Sequence, residues 1–146
     1  MTLTMQIFFG SVMLTICALI HVGMFAVSLP GIQSIDRRTE NLRVIWRNAS
    51  MIGASVLMVV AAHTVQIWFW AWAFFHIDAF DSFTTGFYFA TVTYTTVGYG
   101  DLVLGEDARI FAAFAAVTGM LTFGISTAIL LGLVLRLLNI SSSHET

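Results

Sequence analysis

Residues 95–101 read Thr-Thr-Val-Gly-Tyr-Gly-Asp (TTVGYGD). Gly98 and Gly100 alternate with bulky residues, a pattern too rich in glycine for a helix interior. The stretch nevertheless lies between apolar runs long enough to sit in a bilayer. Irregular backbone is tolerated at that depth only where protein covers it or where it lines a watery cavity. Gly98 and Gly100 adopt positive φ at little cost, whereas Val97 and Tyr99 do not. Alternating left- and right-handed residues turn successive carbonyls to one side and produce a column of C=O groups.

The composition supplies the membrane. Of 146 residues, 58% are hydrophobic and 10% charged, against about 25% charged in a soluble domain. There is no lysine and the net charge is −2, which leaves no footprint for nucleic acid. The single cysteine, Cys17, lies inside an apolar run and has no intrachain partner to oxidise with. The length suits one small membrane domain.

Outward from the motif, the uncharged run from Leu3 to Leu29 is long enough to span about 30 Å of hydrocarbon, and Pro30-Gly31 is expected to end it. Residues 1–31 thus read as an uncleaved N-terminal transmembrane helix, since the start lacks the Lys or Arg of a signal peptide. Residues 32–49 hold four of the six arginines, Arg37, Arg38, Arg43 and Arg47. With Ile32, Ile35, Leu42, Ile45 and Trp46 on one stripe, they suggest an amphipathic linker helix on the cytoplasmic surface. The run 48–77 contains a second span, whose far end Trp68, Trp70 and Trp72 mark as an interfacial belt. Ile110–Leu135 is a third. Residues 50–138 form one unit, and 139–146 a short cytoplasmic tail.

Charge placement decides the run between, Ser82–Gly100. If it enters and leaves from one side, Arg37, Arg38, Arg43, Arg47 and Arg136 share one face of the membrane. Asp78, Asp81, Asp101, Glu106 and Asp107 then share the other. That arrangement obeys the positive-inside rule; a full span would break it. The expected fold is therefore an all-α, multi-pass membrane protein with three transmembrane helices and a re-entrant helix over about 83–95. Its N-terminus lies outside and its C-terminus in the cytoplasm of a cell membrane. One chain supplies one wall of a carbonyl column. Four copies around an axis enclose a dehydrated monovalent cation, with the Thr96 hydroxyl adding a ligand.

TTVGYGD resembles the selectivity filter of potassium channels. The likeness extends through FDSFTTGFYFATVTYTTVGYGD, similar to that family's pore helix and filter, and RIFAAFAAVTGMLTFGISTAIL, similar to its inner helix. Together with the outer helix it covers residues 48–138. It implies a potassium-selective homotetramer that conducts K+ passively, is not an enzyme, needs no cofactor and has lipid and its own copies as partners. The implied K+ ligands are the carbonyls of Thr96, Val97, Gly98 and Tyr99, with Gly100 completing the filter. Thr95, Asp101 and Tyr88 are implied as filter supports. Met120, Phe123 and Thr127 are implied to line the cavity, and Gly119 to form a gating hinge.

Some positions depart from the family pattern. Tyr88-Phe89 replaces the frequent Trp-Trp pair, Val92 stands where some members carry a carboxylate, and no proline follows Leu102. Selectivity survives such changes because its ligands are main-chain atoms; inactivation is expected to differ. Gly119 reads equally as a packing glycine. Thr118, Thr122 and Ser126 share a helix face that is either wet cavity or a row of hydroxyls bonded within the protein. His21 and His63 lie inside spans. They raise the alternative of a b-type haem electron carrier, against neutral imidazoles bonded to neighbouring helices. A non-conducting regulatory subunit is the other alternative.

Overall fold

The computed structural model describes residues 1–39 and 42–142, with the side chains of 36 and 138–142 left aside. Four helices account for most of them: α1 (Leu3–Arg38), α2 (Val44–His76), α3 (Phe83–Tyr94) and α4 (Arg109–Ser142). No strand occurs among the described residues. Segments Leu3–Ile35, Val44–His76 and Arg109–Leu137 are long and apolar enough to cross a membrane. At 12 residues, α3 rises only about 18 Å, roughly half of the hydrocarbon thickness.

The side-chain contacts fix how α3 lies. Trp70 and Phe74, near the end of α2, meet Phe111 at the start of α4, with ring centroids 5.3 and 5.9 Å apart. Those two helix ends therefore lie on the same side. Tyr94, the last residue of α3, instead reaches the middle of both helices, at His63 and Thr122. The chain thus enters from one side, descends along α3, and returns to that side before α4. Ser82 starts α3 by accepting the Thr85 amide at 3.1 Å, and so satisfies one of its free N–H groups. The re-entrant path expected from charge placement is the path observed.

Around α3 the core is aromatic. Trp70, Phe74, Phe89, Tyr94 and Phe111 are all buried, and Phe89 packs edge-on against Phe74 at 5.1 Å. Trp70 accordingly belongs to the core and not to the belt expected of it. Only Trp68 and Trp72, each about half exposed, remain on the outer face.

Helix α1 also departs from expectation. It does not end at Pro30-Gly31 but continues to Arg38 with Pro30 inside it. A proline removes one donor and displaces one carbonyl, which a transmembrane helix absorbs when neighbours hold both flanks. Here Phe25, Leu29, Ile32 and Gln33 line a shared cavity with Met51 of α2 and Leu133 of α4 on either side of the proline. The amphipathic segment expected over 32–49 is consequently not one surface helix. Its first part extends α1, its last part begins α2, and residues 40–41 lie outside the described residues. Of the tail expected over 139–146, residues 139–142 are helical in α4, and 143–146 lie outside the described residues.

The side chain of Gln6 ties the start of α1 to the start of α4. Its Oε1 accepts the amides of Ile110 and Phe111 at 3.0 and 3.2 Å, and its Nε2 donates to the Glu106 carbonyl at 3.0 Å. The first amides of a helix have no partner within it, so Gln6 acts as a cap supplied from a distant segment. It is buried, and Gln6→Ala would strand those two amides. A loss of about 1–3 kcal/mol per subunit is expected, measured as a lower unfolding temperature in detergent.

Candidate functional site

Leaving α3, the chain turns sharply. The amides of Val97 and Gly98 both donate to the Val92 carbonyl, at 3.1 and 3.3 Å, and the Thr96 amide donates to Thr93. The Thr95 hydroxyl closes back on the Thr91 carbonyl at 2.8 Å. These bonds fasten the first residues of the motif to the last turn of α3.

Beyond that anchor, handedness alternates. Thr96, Gly98 and Gly100 have φ of 61°, 55° and 76°, while Val97 and Tyr99 between them are not positive. Positive φ at the glycines was expected from sequence; at Thr96 it was not. A β-branched residue in that region is strained by about 1–3 kcal/mol and persists only when its surroundings enforce it. The two amides held by Val92 immediately after it are that enforcement. No described residue donates a hydrogen bond to the carbonyls of Thr96, Val97, Gly98, Tyr99 or Gly100. Five successive carbonyls therefore have no partner among the described residues and are left to water, an ion or another chain. The side chains of Val97 and Tyr99 are also exposed, Tyr99 by 72%.

At the mouth, the Tyr88 hydroxyl donates to Asp101 Oδ2 at 2.7 Å, and Asp101 Oδ1 accepts the Leu102 amide. The structure thus joins two of the implied supports. The bond to Asp101 holds the Tyr88 phenol above its usual range. A raised value means that the folded state favours the protonated donor. The clasp is therefore fully present below about pH 10 and is lost as pH rises beyond it. In a conducting pore of the kind the sequence implies, Tyr88→Phe should speed the decay of current during sustained conduction without changing ion selectivity. Wild type should acquire the same decay only in strongly alkaline solution.

On α4, Met120, Phe123 and Thr127 lie on an exposed face, Met120 by 66%. Thr118, Thr122 and Ser126 occupy the opposite, buried face. Thr118 and Thr122 bond back to the carbonyls of Phe114 and Thr118 at 2.7 and 2.9 Å. Of the two readings of that stripe, the row of bonded hydroxyls is the one observed. Gly119 packs against the backbone of Tyr94, and a Cβ there would collide with the Tyr94 carbonyl oxygen. Its packing role is therefore set by geometry, independently of any bending.

His21 and His63 approach to a ring separation of 5.1 Å. His21 Nδ1 meets Gln66 at 2.7 Å and its Nε2 meets Ser126 at 2.9 Å. His63 Nδ1 meets Tyr94 at 2.8 Å and its Nε2 meets Ser126 at 3.2 Å. All four nitrogens are engaged by protein, so none is free to ligate a haem iron. Gln66 and Tyr94 were not singled out from sequence. The available signal was Gln66 standing one helical turn after His63 in an otherwise apolar span. Charges segregate as expected: Asp78, Asp81, Asp101, Glu106 and Asp107 belong to the segments at the filter end. Arg136 lines the cavity with Leu29, Gln33 and Met51 near the opposite end. Arg109 sits at the filter end and pairs with Glu106 at 3.4 Å.

Comparison with known proteins places the chain among ion channels. A family model described as "Ion channel" matches residues 62–136, just over half of the chain. A stretch of 57 residues is 39% identical to the voltage-gated potassium channel Kch of Escherichia coli (strain K12), covering 38% of this chain and 14% of that protein. This chain therefore spans only a small part of that relative's length. No solved structure matches it.

Proposed function

Because the chain belongs to the ion channel family, we propose that it is a potassium-selective subunit, conducting K+ passively through a homotetrameric pore. It is a multi-pass membrane protein and a channel rather than an enzyme. One observation carries the finer reading. Residues 96, 98 and 100 alternate in handedness with 97 and 99, and their five carbonyls lack partners. Four such strands around an axis supply each other's missing surroundings. Rings of oxygen dipoles from Thr96, Val97, Gly98 and Tyr99 then replace the hydration shell of K+, and Gly100 ends the column. Thr95 and Asp101 hold its two ends. Met120, Phe123 and Thr127 face the water-filled cavity below, where the carbonyl end of α3 steadies a hydrated cation.

The acids at the filter end concentrate cations at the mouth. The arginine-rich end lies in the cytoplasm by the positive-inside rule, which places the N-terminus and the filter mouth outside a cell membrane. The test is single-channel recording in a planar bilayer with K+ on one side and Na+ on the other, beside a mass measurement of the purified assembly. A reversal potential set by K+ and four copies per particle are expected. A monomer, or equal passage of Na+, would refute the proposal.

A further inference from the structure

Helix α1 is additional to the pore unit, yet it is built into it. Gln6 caps α4, Gly10 lies against the Phe114 ring, and His21 reaches Ser126 near the middle of the bundle. At that depth the polar side chains form a closed ring, and their chemistry assigns every proton in it. The Gln66 amide nitrogen only donates, so His21 Nδ1 is the acceptor and His21 Nε2–H donates to Ser126 Oγ. Thr122 gives its hydrogen to backbone carbonyls, so it accepts from Tyr94. Tyr94 in turn accepts from His63 Nδ1–H, which leaves His63 Nε2 to accept from Ser126. The one Tyr94 hydrogen is shared between Thr122 Oγ1 at 2.8 Å and Gln66 Oε1 at 3.2 Å, so the circuit closes through the longer arm of a bifurcated bond. The ring is satisfied only with both imidazoles neutral.

We propose that α1 is a proton-sensitive brace of the filter: the ring Gln66–His21–Ser126–His63–Tyr94 holds the filter's base while both histidines are neutral, and a proton on the pair opens the ring and stops conduction. This rests on the channel reading above. A proton on His21 Nδ1 faces the Gln66 NH2 group, and only a turn of that amide relieves the conflict, at the loss of its bonds to Tyr94 and to the Ala62 carbonyl. A proton on His63 Nε2 turns the Ser126 hydrogen out of the ring: Oγ then accepts from both imidazoles and its hydrogen must find an acceptor elsewhere. Neither charge has a counter-ion. Each imidazole faces the other, Tyr94 of α3 bonds His63, and Cys17 of α1 is an electrostatic neighbour of Tyr94. From α2 comes Gln66, and from α4 Ser126 and the Phe123 ring, 4.4 Å from His63. Among the described residues no Asp, Glu or Arg side chain bonds to the ring. A charge there is costly, and the two rings exclude a second proton from the pair. Tyr94 passes the disturbance on, because its carbonyl rests on Gly119 and the filter begins two residues later, at Thr96.

The test is K+ flux from liposomes of the full chain, taken from about pH 7.5 to about pH 3.5, a range that reaches far below the ordinary histidine value of about 6.5 because a charge in the ring is costly. Imidazole ¹⁵N resonances are recorded on the same samples. Wild-type flux should fall by about tenfold or more, the change expected when a broken hydrogen-bonded link biases a two-state element. It should fall together with conversion of an imidazole to its doubly protonated form. His21→Gln and His63→Gln keep a donor and an acceptor but cannot titrate, so each should conduct at pH 7.5 with a shallower pH profile. Tyr94→Phe, which removes one hydroxyl from the core, gives a second check should the glutamine variants fail to fold; it should lower flux already at pH 7.5. Flux that is insensitive to pH, that falls while both rings stay neutral, or that keeps the wild-type profile in these variants overturns the proposal. Absence of flux at every pH, with the ring intact by resonance, would instead sink the channel reading and the brace with it.

Discussion

Gly98→Ala is expected to abolish K+ flux while leaving the assembly of subunits intact. Gly98 has φ of 55°, and no atom lies within 4 Å of where its Cβ would stand in the subunit. The penalty is therefore conformational and not a clash. An L-residue in left-handed backbone costs roughly 1–2 kcal/mol, and a conducting filter needs all four strands in register at once, so the cost is roughly 4–8 kcal/mol per pore. At 1.4 kcal/mol per tenfold, the conducting population falls by about three to six orders of magnitude. Flux of K+ or thallium from liposomes reads the effect directly, and the mass of the purified particle controls for assembly. Flux within about tenfold of wild type would mean that the pathway does not run along this backbone.

The proposed filter was legible for a particular reason. Its proposed ligand atoms are main-chain oxygens, so its sequence trace is the spacing of residues that permit unusual backbone, and Gly98 and Gly100 print that spacing openly. Thr96 does not, because nothing in a threonine announces positive φ; the enforcement comes from Val92, whose carbonyl holds the next two amides. Topology was legible because membranes sort charge. Helix ends were less so: Pro30 is a breaker in water, but inside a bundle α2 and α4 hold the chain on both sides of it.

The buried ring was the least legible part. Its members come from four helices and are up to 105 residues apart, and only packing brings them into register. Composition marks His21, His63 and Gln66 as out of place in apolar spans, without saying that they meet. Tyr94 carried no mark at all, since an aromatic residue at the end of a pore helix reads as core. It is core, with no exposed surface, yet its hydroxyl joins α2, α3 and α4 and its carbonyl sets the position of Gly119.

That last contact makes Gly119→Ala the most discriminating substitution on α4. If Gly119 served only to let the helix bend, alanine would stiffen α4, alter opening and leave the resting fold unharmed. The geometry requires more. The added Cβ would collide with the Tyr94 carbonyl oxygen and lie 2.9 Å from its carbonyl carbon. These are backbone atoms, which cannot rotate aside as a side-chain end does. Either α4 or the last turn of α3 must move, and the proposed filter follows that turn by two residues. Overpacking of this kind costs about 1–3 kcal/mol, occasionally more, in each subunit. The variant should therefore unfold or dissociate at a lower temperature in detergent and lose K+ selectivity in whatever fraction still assembles. Gly124→Ala on the same helix, where nothing lies within 4 Å of the new atom, should leave subunit stability unchanged. Because the obstacle is a carbonyl, no substitution of the Tyr94 side chain should rescue Gly119→Ala. Wild-type stability with altered gating in Gly119→Ala would show that the close packing of α4 on the pore helix is not what this glycine is for.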